Sequence, residues 1–124
     1  MLPYMPKAFP ILRVDDYALA KAFYVEWLGF AIQWEWRHEP GFPVYMCVAR
    51  GELALHLSEH RNDCAGQGAA YLEIEDADAL SRELRSKRPE WTGKPVEQPW
   101  GRTELTLHDP FGNRLCFSSA TASD

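Results

Sequence analysis

The sequence predicts an α+β fold built from two tandem βαβββ units. Three observations carry that prediction. First, the chain falls into register with itself at an offset of 60 residues, without gaps. Leu12 meets Leu72, Val14 meets Ile74 and Asp16 meets Asp76; further on, Gly41 meets Gly101, Leu55 meets Leu115 and Ser58 meets Ser118. One offset serving both ends of each half marks a duplicated supersecondary unit. Second, each half opens with an apolar run, an acidic cap and a helix-period stripe. Third, strand-like runs separated by turn residues follow each stripe.

The elements follow in order. Residues 9–14 read as a short strand, and Asp15 or Asp16 caps a helix. Ala20, Phe23, Tyr24, Trp27 and Leu28 recur at helical spacing and form one apolar stripe, which Gly29 ends. Phe30, Ile32, Trp34 and Trp36 alternate with Ala31, Gln33, Glu35 and Arg37, so a regular strand puts all four on one face. Residues 44–49 are a continuous apolar run, and Leu53, Leu55 and Leu57 alternate with Ala54, His56 and Ser58. Arg50-Gly51-Glu52 between them reads as a tight hairpin.

Residues 60–68 are polar, hold two glycines and read as the linker. The second half repeats the order. Residues 70–75 form a strand, Asp76 or Asp78 caps a helix, and Leu80 and Leu84 share its buried face. Pro89, Pro95 and Pro99 make the next segment a loop with at best a short edge strand. Residues 103–108 and 114–118 are strands. Asp109-Pro110-Phe111-Gly112-Asn113 is the turn between them, with Gly and Asn suited to positive φ.

Strand parity separates two faces. Leu55, Leu57, Leu115 and Phe117 pack under the helices. The other face carries Ala54, His56 and Ser58 from one half, and Arg114, Cys116, Ser118, Glu104 and Thr106 from the other. A sheet covered by helices on one side leaves its second face to solvent, a ligand or a partner. With Trp34, Trp36 and Trp100 nearby, a ligand cleft is the expectation.

Composition narrows the function classes. The 124 residues suit one domain, spanning 1–124 with modules at about 8–58 and 69–118. Hydrophobic content of 46% and charged content of 25% are those of a soluble globular protein. A net charge of −5 without any basic run argues against nucleic acid as a partner. Residues 1–10 lack an apolar signal core, and no apolar stretch is long enough to span a membrane. Cys47, Cys64 and Cys116 are an odd number at scattered spacings, which argues for a reducing cytoplasm over a disulfide framework.

The duplication, the segment Phe23-Tyr24…Leu28-Gly29-Phe30 and the closing Asp109-Pro110-Phe111-Gly112-Asn113 resemble the vicinal oxygen chelate superfamily. That superfamily joins glyoxalases, bleomycin resistance proteins and dihydroxybiphenyl dioxygenases. The likeness covers residues 8 to 118. Leu55-His56-Leu57-Ser58, Tyr71-Leu72-Glu73-Ile74 and Trp100-Gly101 are most similar to bleomycin resistance proteins. The resemblance implies that the two modules curl a mixed sheet into a trough, with helices on its outer face. It also implies a homodimer with ligand clefts at the subunit boundary, and a non-catalytic protein that binds an antibiotic and keeps it from its target.

Enzymes of the superfamily hold a divalent metal on the trough floor. The equivalent positions here are Phe9, His56, Ala69 and Cys116. Phe9 and Ala69 offer no donor atom, and two ligands fall short of the three usual in a catalytic zinc site. The expectation is therefore no resident cofactor. A divalent metal in a lyase, thiol transferase or dioxygenase of the same fold is the alternative. No Ser–His–Asp or Cys–His–Asn arrangement can be argued from spacing.

The expected ligand-binding residues are Phe9, Trp34, Trp36, His56, Trp100, Glu104 and Cys116. His56 reads either as a hydrogen-bonding cleft wall or as a partly buried histidine satisfied by neighbours. Cys116 reads as a small buried filler before it reads as a nucleophile. Trp34 and Trp36 read as core or as cleft. Stacking of a planar or cationic ligand on such rings contributes ~0.5–2 kcal/mol per contact. Bleomycin has a bithiazole and a cationic tail, which Glu35 or Glu104 could meet. Arg13 and Glu73 suit a salt bridge between the central strands or a ligand contact, and His60 and His108 read as solvated turn residues.

Overall fold

The structure is a computed structural model that describes residues 4–64 and 66–122. Strand β1 (Ile11–Arg13) leads to helix α1, which starts as an α-helix over Tyr17–Ala20 and continues with π-helical turns over Lys21–Trp27. Strands β2 (Ala31–Trp36), β3 (Tyr45–Arg50) and β4 (Leu53–Ser58) complete the first module. The second module is β5 (Ala69–Glu73), α2 (Ala77–Lys87), β6 (Val96–Glu97), β7 (Arg102–His108) and β8 (Arg114–Ala120). Its first strand follows the polar 60–68 segment, and β6 is the short edge strand among the prolines.

Each module forms a four-stranded mixed sheet, in the orders β1-β4-β3-β2 and β5-β8-β7-β6. The parallel ladders match at the offset of 60 that the sequence predicts, but β7 matches β3 at 59, since Met46 faces Leu57 and Leu105 faces Phe117. Ile11 lies beside His56 in the parallel β1–β4 ladder, and Tyr71 beside Cys116 in the parallel β5–β8 ladder, each position displaced by 60. The caps obey the same offset. Asp16 accepts from the Leu19 amide at 2.9 Å, and Asp76 from the Ala79 amide at 3.0 Å. Each satisfies a donor that the helix start would otherwise leave open. Gly41 (φ 86°) and Gly101 (φ 84°) hold equivalent left-handed positions that a side chain would strain.

Both sheets bury their helix-facing side in a shared core. Leu12, Met46, Val48, Leu55 and Leu57 enter it from the first sheet, and Leu72, Leu105, Leu107, Leu115 and Phe117 from the second. Phe23, Tyr24, Trp27, Leu80 and Leu84 enter from the helices. Burial of such side chains contributes roughly 1.5–3 kcal/mol each before conformational entropy is subtracted. No helix among the described residues is long and apolar enough to cross a membrane.

Three local expectations change. The stripe of α1 is buried as its spacing predicts, but its second half is wound wider than an α-helix, with the Leu28 amide bonding to Phe23 O at 2.8 Å. Those wide turns carry Tyr24 OH to Asp109 Oδ2 (2.6 Å) and Trp27 Nε1 to Leu84 O (3.1 Å). In β2, Ile32 faces Val48 but Trp34 faces Cys47, so Gln33 is an extra residue in the ladder. The bulge flips the pattern: Ile32 turns to the core side, and Trp34 and Trp36 turn to the opposite face. Finally, Asn113 does not adopt positive φ. It is fully buried and acts through its side chain, donating from Nδ2 to Arg13 O (2.7 Å) and accepting at Oδ1 from the Gly68 amide (2.8 Å).

Candidate functional site

The face of the first sheet opposite the core gathers aromatic rings around His56. Register explains how. The Gly51-Glu52 hairpin sets Cys47 opposite His56 and Tyr45 opposite Ser58, while the β2 bulge sets Trp34 beside Cys47. Trp34, Tyr45 and His56 therefore share one face. The Phe9 ring stacks on His56 (4.7 Å between centroids, 13°), and Trp34 meets it edge-on at 5.3 Å. Tyr45 OH lies 2.7 Å from His56 Nδ1. Trp34 also lies parallel to Tyr45 (5.9 Å, 10°).

This face is unusually apolar for a surface. Phe9, Ile11, Trp34 and Trp36 are 39–53% exposed. Two clefts open on it and share Trp34. One, of about 470 Å³, is lined by Trp34, Trp36, Tyr45, His60 and Asp63. The other, of about 870 Å³, runs past Lys7, Phe9, Gln33, Cys47 and Ala54.

The equivalent face of the second sheet is polar. Tyr71 OH donates to Glu104 Oε2 (2.7 Å) and lies 2.7 Å from Ser118 Oγ, which also accepts from Arg102 Nε (2.9 Å). Cys116 sits buried beneath this network. Trp100 stands 64% exposed in the turn before β7. Among the described residues, no hydrogen bond, ion pair or ring contact joins the group around His56 to the group around Cys116. Of the expected residues, the fold thus brings together Phe9, Trp34, Trp36 and His56 on one sheet, and Glu104 and Cys116 on the other, with Trp100 apart.

Electrostatics follow from burial. Burial pushes the Cys116 thiol up, and the Glu104 charge adds to it. Burial raises Cys47 as well. Both remain thiols at neutral pH and are poor nucleophiles. Burial among the rings lowers His56, so its neutral form is favoured; in the tautomer protonated at Nε2, Tyr45 OH donates to Nδ1. Because the folded-state pKa is depressed, the unfolded chain binds more protons as pH falls through the range below ~6.5. Stability should therefore drop on acidification through that window. His56→Gln, which keeps a polar partner for Tyr45 but does not titrate, should lose less stability between pH 7 and pH 5 than the parent in matched urea titrations. Equal losses would show that His56 is not linked to folding.

The four superfamily metal positions do not make a donor set. Phe9 covers His56 with a carbon ring, and Ala69 carries only a methyl group. No group of three or more His, Cys, Asp or Glu side chains converges among the described residues. Other expectations are corrected here. Arg13 pairs with Asp15 (2.9 Å), two residues along its own strand exit, in place of Glu73. Glu35 accepts from Tyr17 OH at 2.8 Å on the helix side of β2, away from the aromatic face. His60 is not freely solvated: it stacks on Trp36 (6.5 Å, 24°), whereas His108 is exposed.

Tyr45, His60 and Asp63 line the first cleft although the sequence reading assigned them no site role. Tyr45 was legible, because a two-residue hairpin loop fixes which β3 and β4 residues stand opposite. His60 and Asp63 were not, because the path of a polar linker has no periodic signal.

The chain matches the family model described as glyoxalase superfamily protein over residues 4–124. Among solved structures it is similar to the bleomycin resistance determinant encoded on the transposon Tn5, at 27% identity and a TM-score of 0.73, covering 95% of this chain and 100% of that one. It is similar to the bleomycin-binding protein of bleomycin-producing Streptomyces verticillus, solved with copper(II)-bleomycin, at 27% identity and a TM-score of 0.64 over the whole of both chains. A glyoxalase-related enzyme from Clostridium phytofermentans shares the fold at 23% identity, with a TM-score of 0.76 over 95% of this chain and 97% of that one. No curated protein sequence matches the chain.

Proposed function

Because the chain belongs to the glyoxalase superfamily, we propose that it acts by sequestration, binding a bleomycin-like or other planar small molecule without transforming it. The observation that carries this reading is the partly exposed cluster of Phe9, Trp34 and Tyr45 around His56, with Trp36 on the same face. Rings at such spacings offer stacking surfaces and few reactive groups. The similarity to a bleomycin resistance determinant and to a bleomycin-binding protein, each at 27% identity, points the same way.

The reading includes a homodimer in the cytoplasm. Two copies would set the aromatic face of one against the polar Tyr71–Glu104–Ser118 face of the other, with the ligand between them and Trp100 overhanging its edge. An apolar patch that one chain leaves uncovered supports such a partner. No resident metal is part of the proposal. The alternative, a metal-dependent glyoxalase-like or dioxygenase-like enzyme, lacks donors at Phe9 and Ala69; near-stoichiometric metal in the purified protein would reverse the ranking.

The test is titration of the purified chain with bleomycin, followed by tryptophan fluorescence. Saturable quenching at micromolar drug, with one cleft filled per chain, is expected. Absence of quenching would defeat the bleomycin-type reading.

A further inference from the structure

We infer that the cleft formed by Trp34, Trp36 and Tyr45 selects flat organic cations, with Asp63 as the carboxylate that reads the charge. The inference rests on the ligand-binding reading above and deepens it by naming the charge and shape of the guest.

The walls of this cleft are two ring pairs. Trp34 lies parallel to Tyr45 (5.9 Å, 10°), and Trp36 lies close to parallel with His60 (6.5 Å, 24°). The cleft is open to solvent, and its volume of about 470 Å³ falls within the range of small-molecule pockets. Aromatic faces attract cations, and that attraction grows as water is displaced from between them. The same rings stack on neutral heteroaromatics, so the walls alone read shape more than charge.

Asp63 supplies the charge. It lines the same cleft, and its Oδ2 accepts from Ser58 Oγ at 2.6 Å. Ser58 is fully buried, so one carboxylate oxygen is anchored to the sheet. The turn is closed by the Asp63 amide, which donates to His60 O at 3.3 Å. No ion pair among the described residues involves Asp63. Its charge is felt at Tyr45, whose hydroxyl is pushed up by burial and then by Asp63. The basic residues nearby are engaged elsewhere or outside the lining: Arg37 lies 3.9 Å from Glu59, Arg13 is paired with Asp15, and Arg61 lines a different cleft. The acids that sequence reading offered for this role are committed to other partners, Glu35 to Tyr17 and Glu104 to Tyr71. An anchored carboxylate without an ion-pair partner, lining the same cleft as these rings, therefore complements a planar cation and leaves an anion repelled.

The experiment compares two probes of one shape, N-methylacridinium and acridine, at pH 7.5 with the full chain by equilibrium dialysis. The parent protein should bind the cation at least tenfold more tightly, and the preference should shrink as salt rises, because Asp63 is exposed. Asp63→Asn keeps an acceptor for Ser58 and should lower affinity for the cation about tenfold while leaving acridine within twofold. Should that variant fold poorly, the salt dependence of the parent carries the test alone. Equal binding of the two probes by the parent, or a preference that survives in Asp63→Asn, overturns the inference. A bleomycin titration run alongside separates the two levels: quenching by bleomycin with no binding of either acridine defeats only this inference, and no binding of all three defeats the sequestration reading as well.

Discussion

Asp109→Ala should lower the unfolding free energy by about 3–5 kcal/mol, read from the midpoint of urea unfolding with the m-value unchanged. Asp109 is 5% exposed and serves four donors. Its Oδ1 accepts from the amides of Phe111 (2.9 Å) and Asn113 (2.8 Å), and its Oδ2 from Tyr24 OH (2.6 Å) and Asn113 Nδ2 (2.7 Å). Removing the carboxylate leaves a buried phenol, a buried amide side chain and two turn amides without their acceptor. Each unsatisfied buried group costs more than an average hydrogen bond contributes. The effect reaches beyond the turn, because Tyr24 belongs to the first module and Asn113 bonds back to Arg13 O on β1. Stability of a domain this size is of order 5–15 kcal/mol, so the variant should sit near its threshold at 37 °C. A loss below ~1 kcal/mol would mean that water replaces the carboxylate and that the network does not hold the modules together.

The second large effect is on binding. Trp34→Ala should weaken bleomycin by about 30-fold, equivalent to ~2 kcal/mol, the range for losing an aromatic anchor. Trp34 is common to both clefts on the aromatic face, lies parallel to Tyr45 and meets His56 edge-on. It is 46% exposed, so its removal should cost little folding stability, which circular dichroism and urea midpoints would check. Fluorescence of the remaining tryptophans, or isothermal calorimetry, gives the affinity. An unchanged Kd would remove the aromatic face from the binding site and leave the sequestration reading without its carrying observation.

The residues differ in how much of this was legible beforehand. The stripe of α1, an acidic cap before each helix and the inward Leu55, Leu57, Leu105 and Leu107 follow from local spacing; the structure buries the side chains accordingly and, of the acids that spacing left open at each cap, uses Asp16 and Asp76. Trp34 and Trp36 share a face as alternation requires, but Ile32 does not join them, because the extra residue at Gln33 reverses parity midway along β2. A bulge is a property of two strands together, so one strand's sequence does not announce it. Arg13 and Glu73 looked matched in charge across the repeat; Asp15, two residues away, is nearer and takes the guanidinium.

The sequence by itself determined the number of modules, the order of their strands and helices, and which side of most strands is buried. Those features come from periodicity and capping within a few residues, repeated at a fixed offset. Only the tertiary structure decided that Tyr45 meets His56, that Phe9 covers the imidazole, that Glu35 turns away and that Asp63 enters the cleft. These depend on strand register and on the path of a linker. They arise when distant segments compete for the same partners, and distance along the chain carries no record of that competition.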